Sequence, residues 1–449
     1  MLRKTMFTLA LVLLGVFATE VELRHTASGA MKVTSASENS AVHEIGSPAG
    51  TGSVDPSLSA GRDGRVYLSW LEPIQPAGYA LKFAARSKDG KWSTPLTITQ
   101  GENRFESSIL ALPDGSLAAY WLAKSGPERH ANDVKLSISR DGGRTWGKEI
   151  VAHQDRTQAE RGFVSIVPAN GGVGVVWLKG MMMMGGNSDA ARRDSTDSSG
   201  TDTSRHPTGH KHTGSDQERG KHDMTAMTAS KMESAMMYST VSLDGTLGKE
   251  VLLDARVCEC CQTAAAPTPD GIAVVYRDRS EQEIRDISIV RLKKEKWSEP
   301  EPLSKDGWQI NGCPVNGPAI SSAGKNVAVA WFTAVRDQPR VFAALSADGG
   351  ASFGPPILLG DERPIGRVDV IALPSGKAVV SWAERTPSGM QVRVRTVKSD
   401  GSKASMIIVT QTASGTPRIQ RSGDEVFIAW TDSEDNGKVH TAILRTNGS

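Results

Sequence analysis

Residues 256–263 read RVCECCQT and hold three of the four cysteines in a chain of 449 residues. The fourth, Cys313, sits in NGCPVNGP. Three thiols within four residues can serve as a structural disulfide, as a C-x2-C redox couple through Cys258 and Cys261, or as thiolate ligands to a soft metal. In an extended segment Cys258 and Cys260 face one side and Cys261 the other, so the first two could chelate one ion, with Cys313 or a methionine as a third ligand. An even count of four allows three disulfide pairings instead.

A second set of soft ligands lies upstream. Nine of the 14 methionines and four of the nine histidines fall within 181–237. They include the run Met181, Met182, Met183 and Met184, then His206, His210 and His212 in H-x3-H-x-H, then His222, Met224 and Met227 in H-x-M-x2-M. Thioether, imidazole and thiolate together suit copper, above all Cu(I), whereas calcium or magnesium would want oxygen. The alternative is a surface loop of flexible methionines among solubilising residues. Its middle is almost free of apolar residues, a composition expected to lack order without a ligand.

Which chemistry applies depends on compartment. The chain opens MLRKTMFTLALVLLGVFATE, with a basic start at Arg3 and Lys4, an apolar run, and small residues before Thr19. This is the layout of a cleavable secretory signal over 1–18, followed by a flexible stretch over 19–40. The run is short for a membrane span, no cysteine follows it as a lipid-anchor site, and a retained anchor is the alternative. The expectation is an exported protein, periplasmic or secreted, with no membrane span after cleavage. There, thiols oxidise unless a metal or a partner protects them. A net charge of +2 gives no reason to expect a nucleic-acid partner or an anionic membrane.

The elements that would position these residues follow a repeat. Seven segments join a Gly, Asp or Asn turn to an apolar strand that ends in an aromatic: Trp70, Trp121, Trp177, Tyr276, Trp331, Trp382 and Trp430. The spacings are 51, 56, 99, 55, 51 and 48, so one unit carries an insertion, at about 181–237. After each aromatic comes a loop, another strand and, in most units, a tight Asp-Gly turn, which makes about four strands per unit. The fold expected is all-β, a single β-propeller domain over 41–449, monomeric, with seven blades favoured and six if a terminal unit is partial. The last unit lacks a fourth strand, which AVHEIGSP at 41–48 could supply.

The turns also carry a family resemblance. Ser139, Asp141, Gly143, Thr145 and Trp146 complete the Asp-box pattern S-x-D-x-G-x-T-W, and Ser346, Asp348, Gly350, Ser352 and Phe353 nearly repeat it. The chain thus resembles the bacterial-neuraminidase-repeat, sialidase-like propeller superfamily. That resemblance implies a propeller in which Asp boxes are structural turns away from the catalytic face. It also implies a test: sialidases hold the substrate carboxylate with three arginines, the first supplied by an N-terminal F/Y-R-I-P motif. No such motif occurs here, and ERPIG at 362–366 is not one. Sialidases have six blades, a further departure. Tyr276 stands where the other repeats have Trp and is read as a packing residue rather than a nucleophile.

Propeller topology puts the strand 2–3 loops and the blade-to-blade links on one face, and so places both cysteine segments and the insertion there. A Cys261–Cys313 bridge would pin blade 4 to blade 5, and a Cys260–Cys261 bridge is a strained alternative. Two residues past the repeat aromatics stand Glu72, Asp278, Glu384 and Asp432. Paired carboxylates around a pocket are what glycoside hydrolysis needs, and Arg277, Arg279, Arg285 and Arg336 could grip an anion. A solvated rim of compensating charge is the alternative. Three functions remain open: a copper-binding or copper-handling propeller, a sialidase-like glycoside hydrolase with a divergent site acting on a glycan-like ligand, and a non-catalytic propeller braced by disulfides that binds a protein on its loop face.

Overall fold

The computed structural model describes residues 42–102, 106–128, 131–180, 234–434 and 437–446. Within them seven antiparallel sheets succeed one another along the chain. Blade 1 is typical: Val54–Ala60, Val66–Pro73, Tyr79–Arg86 and Leu96–Gly101 pair in chain order. In blade 4 the outermost position is shared by two short strands, Lys296–Trp297 and Glu301–Pro302. The first strands of neighbouring blades contact one another around a ring, and Val54–Ala60 of blade 1 meets Ala413–Ser422 of blade 7. The fold is a seven-bladed propeller.

The second strand is the core of each blade. In blade 5, Val327 to Thr333 are all buried. Each blade packs between two others, so a second strand is covered on both faces and reads as a near-continuous apolar run. The repeat aromatics close that core, with Trp70, Tyr276, Trp331 and Trp382 all 1% exposed or less.

The N-terminal segment does complete the last blade. Val42–Ile45 pairs antiparallel with Lys438–Arg445, from Val42 opposite Leu444 to Ile45 opposite Thr441. Blade 7 therefore takes its outer strand from the start of the chain and its other three from the end.

The Asp boxes are closed hydrogen-bond units. Asp141 accepts from the Ser139 hydroxyl at 2.8 Å, from the Thr145 amide at 2.9 Å and from the Thr145 hydroxyl at 2.6 Å. Thr145 first, then Ser139, holds the Asp141 carboxyl well below its usual range. Asp348 is held the same way by Ser346 and Ser352. Gly143 has φ +90° and presses on Phe83, and a Cβ there would stand 2.2 Å from the ring. The Phe83 ring also meets Trp146 edge-on at 5.8 Å.

The insertion sits between Gly172–Gly180 and Ser234–Ser242, strands 2 and 3 of blade 3, which are paired as far as Lys179 opposite Ala235. Strand 3 thus begins earlier than the sequence boundary of 237: Met236 is a fully buried strand residue, and Met237 packs on the opposite face against the core between blades 2 and 3. The remaining soft-ligand positions, Met181 to Met184, His206, His210, His212, His222, Met224 and Met227, lie outside the described residues, as do segments 1–18 and 19–40. Among the described residues no helix is long and apolar enough to cross a membrane.

Candidate functional site

Three cysteines lie on the link between blades 3 and 4, and Cys313 reaches them from the link between blades 4 and 5. The outer strand of blade 3, Val251–Val257, ends at Cys258, whose amide bonds the Arg277 carbonyl at 3.0 Å. The chain then turns through Glu259 and Cys260 before Ala264–Thr268 begins blade 4. Because this segment turns rather than extends, the expected division of side chains does not hold. Cys258 and Cys261 lie side by side, their sulfurs 3.2 Å apart, both buried and free. Cys260 is bonded to Cys313 with a Cα separation of 6.0 Å. That bond ties blade 4 to the link entering blade 5, as a staple was expected to do, but through Cys260 rather than Cys261. The sulfurs of Cys258, Cys260 and Cys261 all lie within 4.8 Å of one another.

Two buried arginines flank the pair. Arg285 donates from Nη1 to Cys258 Sγ at 3.2 Å and to Glu259 at 3.1 Å, and from Nη2 to Glu283. Arg277 donates to the backbone carbonyls of Asn316, Arg285 and Phe332 at 2.6–2.8 Å and lies 4.9 Å from the Trp308 ring centroid. The hydrogen bond with Cys261, then the Cys260 amide and Arg285, bring the Cys258 thiol down to about 6 against the effect of burial. Burial and the neighbouring Cys258 push Cys261 the other way. Such a pair holds one sulfur as a thiolate and the other as a thiol. Arg279 bonds Glu283 and Glu259, and Arg336 is exposed on a 3₁₀ turn at 335–337.

The carboxylates two residues past the aromatics are each engaged within or beside their own blade. Glu72 accepts from the Trp70 indole at 2.9 Å, from the Gly50 amide and from Lys82. Glu384 accepts from the Trp382 indole at 2.9 Å and from the Arg363 amide at 2.5 Å. Asp432 takes the Thr412 hydroxyl, and Asp278 takes Ser288 and the Arg279 amide. Burial first, then Asp254, raises the Asp278 carboxyl. Tyr276 donates to Asp254 of blade 3 at 2.6 Å. The rim thus has a feature the sequence does not announce, indole N–H groups capped by carboxylates.

A second group of acids was missed altogether. The ring encloses a cavity of about 840 Å³ on its axis, bordered by the first strands. Asp55, Glu106, Asp369, Tyr120, Arg367 and Arg418 face it. Glu106 accepts from the Val164 amide at 3.2 Å, yet burial raises its carboxyl to about 7. Burial also raises Asp55 and Asp369, with Arg418 opposing. Asp55, Glu106 and Arg367 have φ of 53°, 32° and 52°. At Asp55 and Arg367 the pairing of strands 1 and 2 shifts register, a bulge of the kind that re-aims side chains beside active sites. The available signal was an acid in or just before strand 1 of blades 1, 2 and 6, in SVDPSLS, RFESSIL and RVDVIAL. A neighbouring cavity of about 720 Å³ shares Glu106 and Gln262 with the first and is also lined by Glu259, which brings the cysteine turn to its edge.

No protein-family model and no curated protein matches the sequence. Solved structures do. An unknown-function protein from Dyadobacter fermentans is similar at 13% identity and TM-score 0.42, over 91% of this chain and 100% of that one. An intramolecular trans-sialidase from Ruminococcus gnavus is similar at 12% identity and TM-score 0.42, over 88% and 94%. The Hadza microbial sialidase Hz136 is similar at 11% identity and TM-score 0.46, over 82% and 73%. The propeller fold and its blade count rest on the chain's own strand pairing.

Proposed function

We propose that this protein binds and hands on copper, as Cu(I), at the thiol cluster on its loop face, and that it does so after export. The observation that carries the proposal is the approach of three cysteine sulfurs to within 4.8 Å, two of them buried free thiols. Soft thiolates select Cu(I). Cys258 and Cys261 are the first ligands, with Cys260 and Cys313 available once reduced. Arg277 and Arg285 would offset the negative charge of a thiolate complex in a buried setting. The methionines and histidines of 181–233 belong to the same proposal as an accessory ligand supply. The test is anaerobic Cu(I) titration of reduced, full-length protein against a competing chelator. Tight binding that disappears in the Cys258→Ser/Cys261→Ser double variant is expected. Unchanged stoichiometry in that variant would overturn the proposal.

One observation favours a second reading, a glycoside hydrolase. Glu106 and Asp55, on adjacent blades, face one cavity, and at neutral pH Glu106 divides between acid and base. A carboxyl that can exchange a proton near neutral pH, facing the same cavity as a second carboxyl, is what glycosidic cleavage uses. Sugar release from a panel of sialosides and neutral glycosides, lost in Glu106→Gln and in Asp55→Asn, would support it. No release across the panel would remove it.

A further inference from the structure

Two of the four cysteines are buried thiols and the other two form a disulfide whose Cys313 end is exposed. The two pairs are within reach of each other. Cys258 Sγ lies 3.8 Å from Cys260 Sγ and 3.2 Å from Cys261 Sγ. A disulfide needs about 2.05 Å, so each new bond requires movement of only about 1–2 Å, the scale of a side-chain rotation. The turn through Glu259 and Cys260 bears no strand pairing that would resist it. Arg285 donates to Cys258 Sγ at 3.2 Å and so holds this sulfur beside both Cys260 and Cys261. The leaving sulfur, Cys313, opens to solvent on the link 311–316.

From this geometry we propose that the cluster is a thiol–disulfide relay, in which the disulfide moves between the exposed Cys260–Cys313 position and the buried Cys258–Cys261 position. In the first step the Cys258 thiolate attacks Cys260 Sγ. The Cys258–Cys260 bond forms, the Cys260–Cys313 bond breaks, and the electron pair leaves on Cys313. In the second step Cys261 gives its proton through solvent to the Cys313 thiolate and attacks Cys258 Sγ. The Cys258–Cys261 bond forms, and the electron pair leaves on Cys260. One disulfide and two thiol groups are present before and after, so no oxidant or reductant is consumed.

The relay makes the buried pair reachable by electrons. A dithiol too large to reach Cys258 or Cys261 reduces Cys260–Cys313 at its exposed end and becomes a disulfide itself. A disulfide held at the buried Cys258–Cys261 position first returns to that exposed position by the two steps run backwards and is then reduced there in the same way. The substrate class is therefore a protein dithiol that docks at Cys313. This goes beyond the copper proposal and stands without any metal.

The test is a disulfide map of the full-length protein, freed of metal by chelator, equilibrated in graded dithiol/disulfide buffers, quenched in acid and alkylated. In the wild-type protein a Cys258–Cys261 or Cys258–Cys260 disulfide should coexist with Cys260–Cys313, and Cys313 should take up alkylating agent. Cys258→Ser should show Cys260–Cys313 alone. A wild-type map that shows only Cys260–Cys313 at every poise, with label confined to Cys258 and Cys261, would overturn the relay. That wild-type result decides the matter even if a variant folds poorly. Because metal is absent throughout, failure of the relay is separate from failure of copper binding.

Discussion

Replacing Glu384 by alanine separates a structural carboxylate from a catalytic one. Glu384 is fully buried and accepts from the Trp382 indole at 2.9 Å and the Arg363 amide at 2.5 Å. Arg393 lies 3.6 Å away but keeps Glu362 and Gln391, so its charge is not orphaned. Removal leaves two donors without an acceptor, at about 1–3 kcal/mol each, and an unfilled space, for a total of about 3–5 kcal/mol. Glu72 makes the same indole contact, but its side chain is 19% exposed and water can replace it. Its loss should cost about 1–2 kcal/mol. For a unit spanning 41–449 the unfolding entropy is about 0.8 kcal/mol/K. Glu384→Ala should therefore lower Tm by about 4–6 °C and Glu72→Ala by about 1–2 °C. Glu384→Gln, which retains one acceptor oxygen, should fall between wild type and Glu384→Ala. Thermal unfolding followed by calorimetry reads all three. The reasoning fails if Glu384→Ala melts with the wild type, or if Glu72→Ala costs more. An unchanged Tm with loss of a measured glycosidase activity would make Glu384 catalytic instead.

Gly143→Ala should destabilise strongly because its Cβ meets Phe83, whereas Gly142→Ala, with φ +73° and nothing within 4 Å, should cost only about 1 kcal/mol. Urea midpoints will rank them, and equal midpoints would count against the packing argument. Glu106 has a folded pKa raised from 4.5 to about 7, so the native state binds its proton more tightly than the unfolded state. The stability this carboxyl contributes should be complete below 4.5 and be lost, up to about 3 kcal/mol, as pH rises through 7. Glu106→Gln should reduce that slope, leaving what Asp55 and Asp369 add, and an identical slope in the variant would refute it. Deletion of 185–223 should leave unfolding cooperative, because the flanking strands are already paired up to Lys179 and Ala235. A broadened or biphasic melt would contradict this. Deleting 42–45 should lower Tm more than Glu72→Ala does, since it strips the outer strand from blade 7; an unchanged Tm would show that the strand contributes nothing to closure.

The ring was legible because its signal is redundant. Seven aromatics at near-constant spacing, each after a Gly, Asp or Asn turn, leave little freedom in the count or order of strands. The closing strand at 42–45 was legible for the same reason, as the one piece missing from a regular set. Clustering of the cysteines followed from topology, but their pairing did not. It depends on whether residues 258–261 extend or turn, and that is fixed by contacts with Arg277 and Arg285, on or just past blade 4 strands. Glu72 and Glu384 were located, yet their indole partners were hidden, because an i to i+2 contact on a strand looks the same in sequence whether or not the side chains touch. Asp55, Glu106 and Arg367 were passed over because positive φ at non-glycine positions carries no sequence mark.

Blade 7 joins residues 42–45 to residues 438–445, the two ends of the described chain. Bringing ends about 400 residues apart together costs on the order of 5 kcal/mol of loop-closure entropy if nothing between them is ordered. That cost shrinks as each preceding blade forms and carries the growing end back toward the start. Closure thus costs little by the time blade 7 forms, and the axial cavity acquires its complete wall only at that step. A chain lacking blade 7 would hold six sheets and leave the apolar faces of blades 1 and 6 uncovered, a surface prone to association. Residues 42–45 wait for 438–445, so their pairing latches the ring only after the other blades are in place.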